Sequence, residues 1–344
     1  MSSDNARRAS GLWVVAPRQA ELREEPLPER GSGEVTARAL HSLVSAGSEM
    51  NVYRGEVSSE LEVGFPTRKG TFPFPIQFSY QVVAEVEAAD ADSAYAVGDV
   101  VFCQHPHQDR FVVAEDFVHP LPEGLDARVA AFSNLANVAL CGLLDVPVRL
   151  GDCCVVSGLG VIGTLVGHFA RRTAGTLILV DPIESRRQAA EPVGADAVVA
   201  PADAREVVEA LSGGRGADVC FEVSGAPPAL QTALDVTGVE GTITVLSYYG
   251  NREATVRLSP EFHLRRQRIV SSMVGLVGSG LQPRWDKRRR MQVAMRLLRA
   301  VDVDAMVTHE FDFADAPRAY ELIDEHPNQT LGVLLNYPKG GGAT

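Results

Sequence analysis

The stretch Val155-Val156-Ser157-Gly158-Leu159-Gly160-Val161-Ile162-Gly163 constrains this chain more than any other. An apolar run from Cys153 to Val156 reads as a buried parallel strand. It ends in Gly158-x-Gly160-x-x-Gly163, and a helical pattern follows at once, from about Val161 to Thr173. A second apolar run, Leu177 to Val180, ends on Asp181. Strand, glycine turn, helix, strand and acid in that order form a βαβ dinucleotide fingerprint. Gly158 permits the tight turn, Gly160 lets the backbone approach a pyrophosphate, and Gly163 lets helix and strand pack closely. The start of the helix, at Val161 and Ile162, offers N–H groups and a positive dipole end to the phosphates. Asp181 would accept hydrogen bonds from the adenosine ribose and repel a 2′-phosphate, which argues for NAD(H) over NADP(H). Arg186, one helical turn beyond, could cover the adenine or ribose or could simply be a solvated helix residue.

The 344 residues are enough for two domains with their own cores. The net charge of −12 argues against DNA, RNA or an anionic membrane as partner. No apolar run is long enough to span a bilayer, and the polar start has no signal-peptide core. Residues 1–9 and 339–344 read as frayed tails. Cys153, Cys154 and Cys220 fall inside apolar strand patterns and read as packed thiols, and no cysteine pair has zinc-ribbon or redox spacing. A reducing cytoplasm is the expected compartment.

Residues 11–130 read as β-rich, with short strands and turns that suggest a small barrel. From about Asn134 the rhythm changes. Six apolar runs (Cys153–Val156, Leu177–Val180, Ala197–Ala200, Val219–Val223, Thr242–Leu246, Ile269–Val274) alternate with helical segments. That pattern implies one doubly wound parallel sheet. Further on, Arg288 to Val301 is a basic amphipathic helix, and the run Lys287-Arg288-Arg289-Arg290 reads as a solvated face or a subunit contact. Leu331–Leu335 reads as a last strand.

This arrangement resembles the medium-chain dehydrogenase/reductase superfamily over nearly the whole chain, from about Leu12 to Tyr337. Ser45-Ala46-Gly47-Ser48-Glu49 resembles the family's Cys-Gly-Thr/Ser-Asp, and Ser79-Tyr80-Gln81 stands where the family has Gly-His-Glu. Gly98-Asp99-Val100-Val101 resembles Gly-Asp-Arg-Val, and Phe221-Glu222-Val223-Ser224-Gly225 resembles the segment entering the nicotinamide end of the cleft. The resemblance implies an α/β protein: a GroES-like β-barrel catalytic domain, residues 1–133 and 278–344, plus a Rossmann domain with a doubly wound six-strand parallel sheet, residues 134–277. It implies NAD as cofactor, with Ser133, Asn137, Ser224, Leu246 and Ser247 near the nicotinamide end. A homodimer and a small-molecule substrate are also expected.

The departures from the family carry as much information. Zinc-dependent members hold the metal with a Cys, a His and a third Cys or acid. Here the first two positions are Ala46 and Tyr80, and the third falls near Ser133 by spacing back from Gly158. None is a usual zinc ligand. The four-cysteine structural lobe is missing too. No metal is therefore expected at either family site, and a new site at Cys103-Gln-His105-Pro-His107 is the weaker alternative.

Without zinc, hydride transfer still needs a group that gives or takes a proton at the substrate oxygen. Tyr80 stands first, if its pKa is lowered. His105 matches the wall of the substrate pocket and titrates near neutral pH. Ser48 matches the family's relay hydroxyl, and His107 completes the set, with Glu49 more simply structural. Tyr80 could equally fill the volume left by metal and histidine, its hydroxyl satisfied by Gln81 or Ser48.

Three functions remain open on the sequence. The first is a zinc-independent NAD(H)-dependent alcohol dehydrogenase or ketoreductase acting on a polar hydroxylated substrate such as a sugar, a cyclitol or a secondary metabolite. The second is a zinc-free enoyl or quinone reductase. The third is a non-catalytic NAD-binding subunit.

Overall fold

The computed structural model describes residues 8–58 and 67–338. They form two compact units, residues 8–58, 67–134 and 307–338 in one and residues 135–306 in the other.

In the first unit, β1 (Arg8–Ala16) pairs with β2 (Gln19–Pro26) as an antiparallel hairpin. Arg8 and Ala9 therefore belong to a strand, not to a tail. The remaining tail residues at both ends lie outside the described residues. β3 (Glu34–Val44) is the spine of the unit, and its inward positions, Val35, Ala37, Ala39 and Leu43, are fully buried. The short helix α1 (Ser48–Arg54) follows and ends on Gly55, whose φ of 74° is the left-handed conformation that glycine adopts without a Cβ penalty. Next come β4 (Lys69–Gly70), β5 (Ile76–Gln77), β6 (Val82–Ala88), β7 (Val100–Cys103), β8 (Arg110–Ala114) and β9 (Val118–Pro120). Their order is β2-β1-β5-β4 in one sheet, and β3-β6-β7-β9 with β8 on β3 in another. All these pairings are antiparallel.

After α2 (Ala127–Ala130), the chain enters the second unit along α3 (Ser133–Asp145). This unit alternates strand and helix: β10 (Cys153–Ser157), α4 (Val161–Ala170), β11 (Thr176–Val180), α5 (Glu184–Ala189), β12 (Ala197–Val199), α6 (Ala204–Leu211), β13 (Ala217–Glu222), α7 (Pro227–Val236), β14 (Thr237–Val245), α8 (Glu261–Leu264), β15 (Arg268–Ser271). The sheet order is β12-β11-β10-β13-β14-β15, parallel throughout. All six apolar runs are strands of this one sheet, and the order reverses between β10 and β13. A ligand binds at such a switch point, beyond the carboxyl ends of the strands. β10 is buried at every residue because helices cover both faces of a parallel sheet.

The C-terminal boundary differs from the sequence expectation. The second unit extends to Met306, so residues 278–306 belong to the unit that carries the six-stranded sheet. The reason lies in α9 (Lys287–Leu298). Its arginine run is not uniformly solvated, because Arg290 is only 2 % exposed. Its guanidinium donates to Asn137 Oδ1 (2.8 Å), to the Leu276 carbonyl (2.7 Å), to Cys141 Sγ (3.2 Å) and to the Val274 carbonyl, all in the second unit. Met291, Ala294, Met295 and Leu298 bury the adjoining stripe. The chain then returns to the first unit, where β16 (Val307–Asp312) lies parallel to β17 (Gly332–Asn336) and β17 joins β3 antiparallel, with α10 (Ala316–Glu325) between them. Among the described residues no helix is long and apolar enough to cross a membrane.

Candidate active site

In the second unit the glycine turn has the geometry its spacing predicts. Gly158 sits at φ +99°, and a Cβ there would lie 2.6 Å from the Ser224 nitrogen. A Cβ on Gly163 would collide with the Gly158 carbonyl oxygen. Gly160 has nothing within 4 Å of its Cβ position, so open space faces the start of α4. The first main-chain bond of α4 runs from Thr164 N–H to the Gly160 carbonyl at 2.9 Å. The N–H groups of Val161, Ile162 and Gly163 therefore have no acceptor inside the helix. Gly160 supplies no side-chain cap either. Unpaired N–H groups, a positive helix end and an unfilled space together fit a pyrophosphate.

Asp181 is already engaged within the protein. One carboxylate oxygen accepts the Leu159 N–H at 2.7 Å and the other accepts the Ile183 N–H at 2.8 Å. It is 1 % exposed, so it braces the glycine turn, and only the remaining lone pairs of its oxygens are open to a ribose. Arg186 is half-buried on α5. Its neighbour Arg187 reaches the carbonyls of Asp181 (2.8 Å) and Pro182 (3.0 Å).

At the carboxyl ends of β13 and β14 the structure places a group that sequence reasoning left without a role. Glu222 is fully buried. Its Oε1 accepts the Ser224 N–H (2.8 Å), the Ser224 hydroxyl (2.5 Å) and the Gly225 N–H (3.1 Å). Its Oε2 accepts the Tyr249 hydroxyl at 3.0 Å, and its carbonyl accepts Leu246 N–H (3.0 Å) and Ser247 Oγ (3.3 Å). Ser224 is thus held on the Glu222 carboxylate, and Leu246 and Ser247 on the main-chain carbonyl of the same residue. An acid closing a strand was the available signal, the same one that marked Asp181. Asn137 Oδ1 accepts from Arg290 Nε at 2.8 Å.

In the first unit, Ser48 Oγ and Tyr80 Oη lie 2.7 Å apart, and Ser45 Oγ is 3.4 Å from Ser48 Oγ. Gln81 is not the partner of Tyr80; it donates to the Leu43 carbonyl at 2.7 Å. Burial, with Glu49 nearby, pushes the Tyr80 phenol well above its ordinary value. The expected lowering is thus reversed, because desolvation penalises the phenolate. His105 is 4 % exposed, stacks on Phe111 at 4.0 Å and has Nδ1 2.9 Å from the Pro106 carbonyl. Burial, together with the Lys69 and His107 charges, outweighs that carbonyl and pushes the imidazole down to about 3. It does not titrate near neutral pH, contrary to the reading from sequence.

His107 turns the other way. Its Nε2 lies 3.1 Å from Glu49 Oε2, which also accepts the Tyr320 hydroxyl at 2.6 Å. Glu49 is buried between them, which gives it the structural place expected for it. Cys103, His105 and His107 do not converge. Among the described residues no three His, Cys, Asp or Glu side chains are grouped so as to hold a metal ion. Ala46 is exposed, and Ser133 Oγ donates to the Ala130 carbonyl at 2.6 Å.

The profile of the zinc-binding dehydrogenase family matches residues 161–292. The chain is 29% identical to the D-guloside 3-dehydrogenase of Shigella flexneri over 95% of its own length and 99% of that protein. It is 26% identical to the sorbitol dehydrogenase of Halalkalibacterium halodurans, covering 91% of this chain and 94% of that one. The crystal structure of a dehydrogenase from Sinorhizobium meliloti 1021, bound to NADP, superposes with a TM-score of 0.76 at 20% identity, covering 96% and 99% of the two chains. The chain has the α/β fold of the medium-chain dehydrogenases and reductases. Its relatives are dehydrogenases and the chain is an oxidoreductase, and its β-rich unit is the GroES-like part of that fold.

Proposed function

We propose that this protein is an NAD(H)-dependent dehydrogenase or ketoreductase that acts on a polyhydroxylated substrate without zinc. The relatives named for guloside and sorbitol support a carbinol or carbonyl flanked by hydroxyls as the reacting group. The cofactor would lie along Gly158, Gly160 and Gly163 with its pyrophosphate on the N–H groups of Val161 and Ile162. The preference for NAD(H) rests on Asp181, whose charge opposes a 2′-phosphate. When bound, the nicotinamide carries the hydride.

The observation that carries the zinc-free reading is the 2.7 Å Ser48–Tyr80 hydrogen bond. It stands where a zinc-dependent relative would present a histidine. An alanine methyl, a neutral phenol and a serine already donating to a carbonyl do not fit a zinc ion. Tyr80, kept protonated by burial, donates to the substrate carbonyl oxygen. As negative charge grows there, Tyr80 yields its proton and takes another through Ser48 Oγ, which is only half-buried and draws its own replacement from solvent, so neither a phenolate nor a serine alkoxide accumulates. A carbonyl oxygen turning into an alkoxide is far more basic than a phenol, which makes this direction favourable.

The test combines metal analysis of the purified protein with turnover on polyols and their ketones, using NAD(H) and NADP(H). Metal-free protein retaining full turnover, and a Tyr80→Phe variant losing it, is the expected result. Essential stoichiometric zinc sinks the proposal.

A further inference from the structure

Arg68 stands apart from every other cation of its unit. Each of the other described arginines of the β-rich unit has a carboxylate oxygen within 3.4 Å. Its sequence neighbour Lys69 also has one, Glu25, at 3.2 Å. Arg68 has none. Its Nη1 is buried away from solvent without any hydrogen-bond partner, and its guanidinium lies 5.0 Å over the Phe72 ring. A guanidinium cannot shed its charge, and a buried N–H without an acceptor is costly. The ring face offsets part of that cost but accepts no in-plane hydrogen bond. In a chain of net charge −12, carboxylates are abundant, yet none of the described ones pairs with Arg68.

The position of Arg68 links it to the candidate site. Phe72 contacts Phe78 (5.9 Å between centroids), and Phe78 meets Tyr80 edge-on at 6.1 Å. Thr67, the residue before Arg68, donates to the Gln104 carbonyl at 2.9 Å, one residue ahead of His105. A cation lacking an anion therefore stands on the same aromatic ladder as the Tyr80 hydroxyl.

We propose that Arg68 is the anion seat of the substrate pocket. The substrate is a polyhydroxylated compound bearing a carboxylate or a phosphate, held by that group while its reacting carbon lies at Tyr80. The two anions share the planar or trigonal oxygen pairs that a guanidinium binds in a forked manner. This rests on the dehydrogenase reading above and narrows its substrate class.

The experiment is isothermal titration of the NAD-saturated protein with gluconate, glucose 6-phosphate and sorbitol, for the wild type, Arg68→Gln and Arg68→Lys, with NADH formation recorded in parallel. Thermal unfolding reports on the integrity of each variant. Gluconate or glucose 6-phosphate should bind roughly ten- to a hundredfold tighter than sorbitol. Arg68→Gln should erase that margin without weakening sorbitol, and Arg68→Lys should restore part of it. The better anion tells carboxylate from phosphate. Sorbitol binding as tightly as both anions, neither anion binding, or an Arg68→Gln variant that keeps the margin overturns the proposal. Anion binding that depends on Arg68 without NADH formation would instead count against the dehydrogenase reading.

Discussion

The Tyr80 hydroxyl and the Ser48 hydroxyl form a 2.7 Å pair, and that pair links a strand-flanking loop to the first turn of a helix. Neither group ionises easily, because burial holds the Tyr80 phenol above its ordinary value. The pair can hand a proton on but cannot store a charge.

Carbonyl reduction should therefore be insensitive to pH between about 6 and 9, as far as this pair sets the rate, since Tyr80 stays protonated throughout. Alcohol oxidation, which needs the proton removed, should rise with pH over the same range. Tyr80→Phe should lower kcat for reduction by roughly a hundredfold or more with little effect on NADH affinity. Steady-state profiles in both directions, together with NADH titration by fluorescence, check this. A bell-shaped reduction profile centred near neutrality would point to another acid.

Two glycines of one turn should respond differently to the same methyl group. Gly160→Ala meets open space and should fold with unchanged Tm, while cofactor affinity drops about tenfold or more because the methyl occupies the phosphate approach. Gly163→Ala drives a methyl into the Gly158 carbonyl and should cost stability, on the order of 1–3 kcal/mol. Calorimetry paired with NADH binding separates the two effects. Equal loss of Tm in both variants contradicts the assignment.

Asp181→Ser should change two properties together. It removes acceptors from the Leu159 and Ile183 N–H groups, a loss of about 1–3 kcal/mol in chemical unfolding. It also removes the charge that opposes a 2′-phosphate, so the ratio of kcat/KM for NADPH to that for NADH should rise. A ratio that stays fixed while stability falls would leave Asp181 a purely structural brace.

His105 carries an acid-stability prediction. Its folded value, about 3, lies below its unfolded value near 6.5, so the unfolded chain binds the extra proton. Stability from this residue is complete above about pH 6.5 and falls as pH drops from there toward 3. The loss should reach a few kcal/mol at the acid end of that window. Urea unfolding at pH 7 and pH 5 should show a smaller difference for His105→Gln than for the wild type.

Much of the fold was legible from sequence because parallel strands buried on both faces read as unbroken apolar runs, and all six runs appear as neighbours in one sheet. The glycine turn was legible because its constraint is largely local: Gly158 sits at a positive φ of 99°, and Gly163 tolerates no side chain against the Gly158 carbonyl. The last boundary was not legible. Lys287 to Arg290 is one run of like charge in the sequence, and nothing local separates Arg290 from its neighbours. Only folding brings Asn137, Cys141 and two main-chain carbonyls around that one guanidinium, which ties residues 278–306 to the second unit.

The protonation of the site was decided in the same way. Residue type gave Tyr80 and His105 ordinary values, and tertiary burial moved one up and the other down. Sequence by itself determined the elements, their order and the cofactor turn, because these depend on contacts between near neighbours and on hydrophobic period. Tertiary structure alone decided which polar groups meet and which lose water. Hydrogen bonding and desolvation depend on residues far apart in the chain, as Glu49 and Tyr320 are.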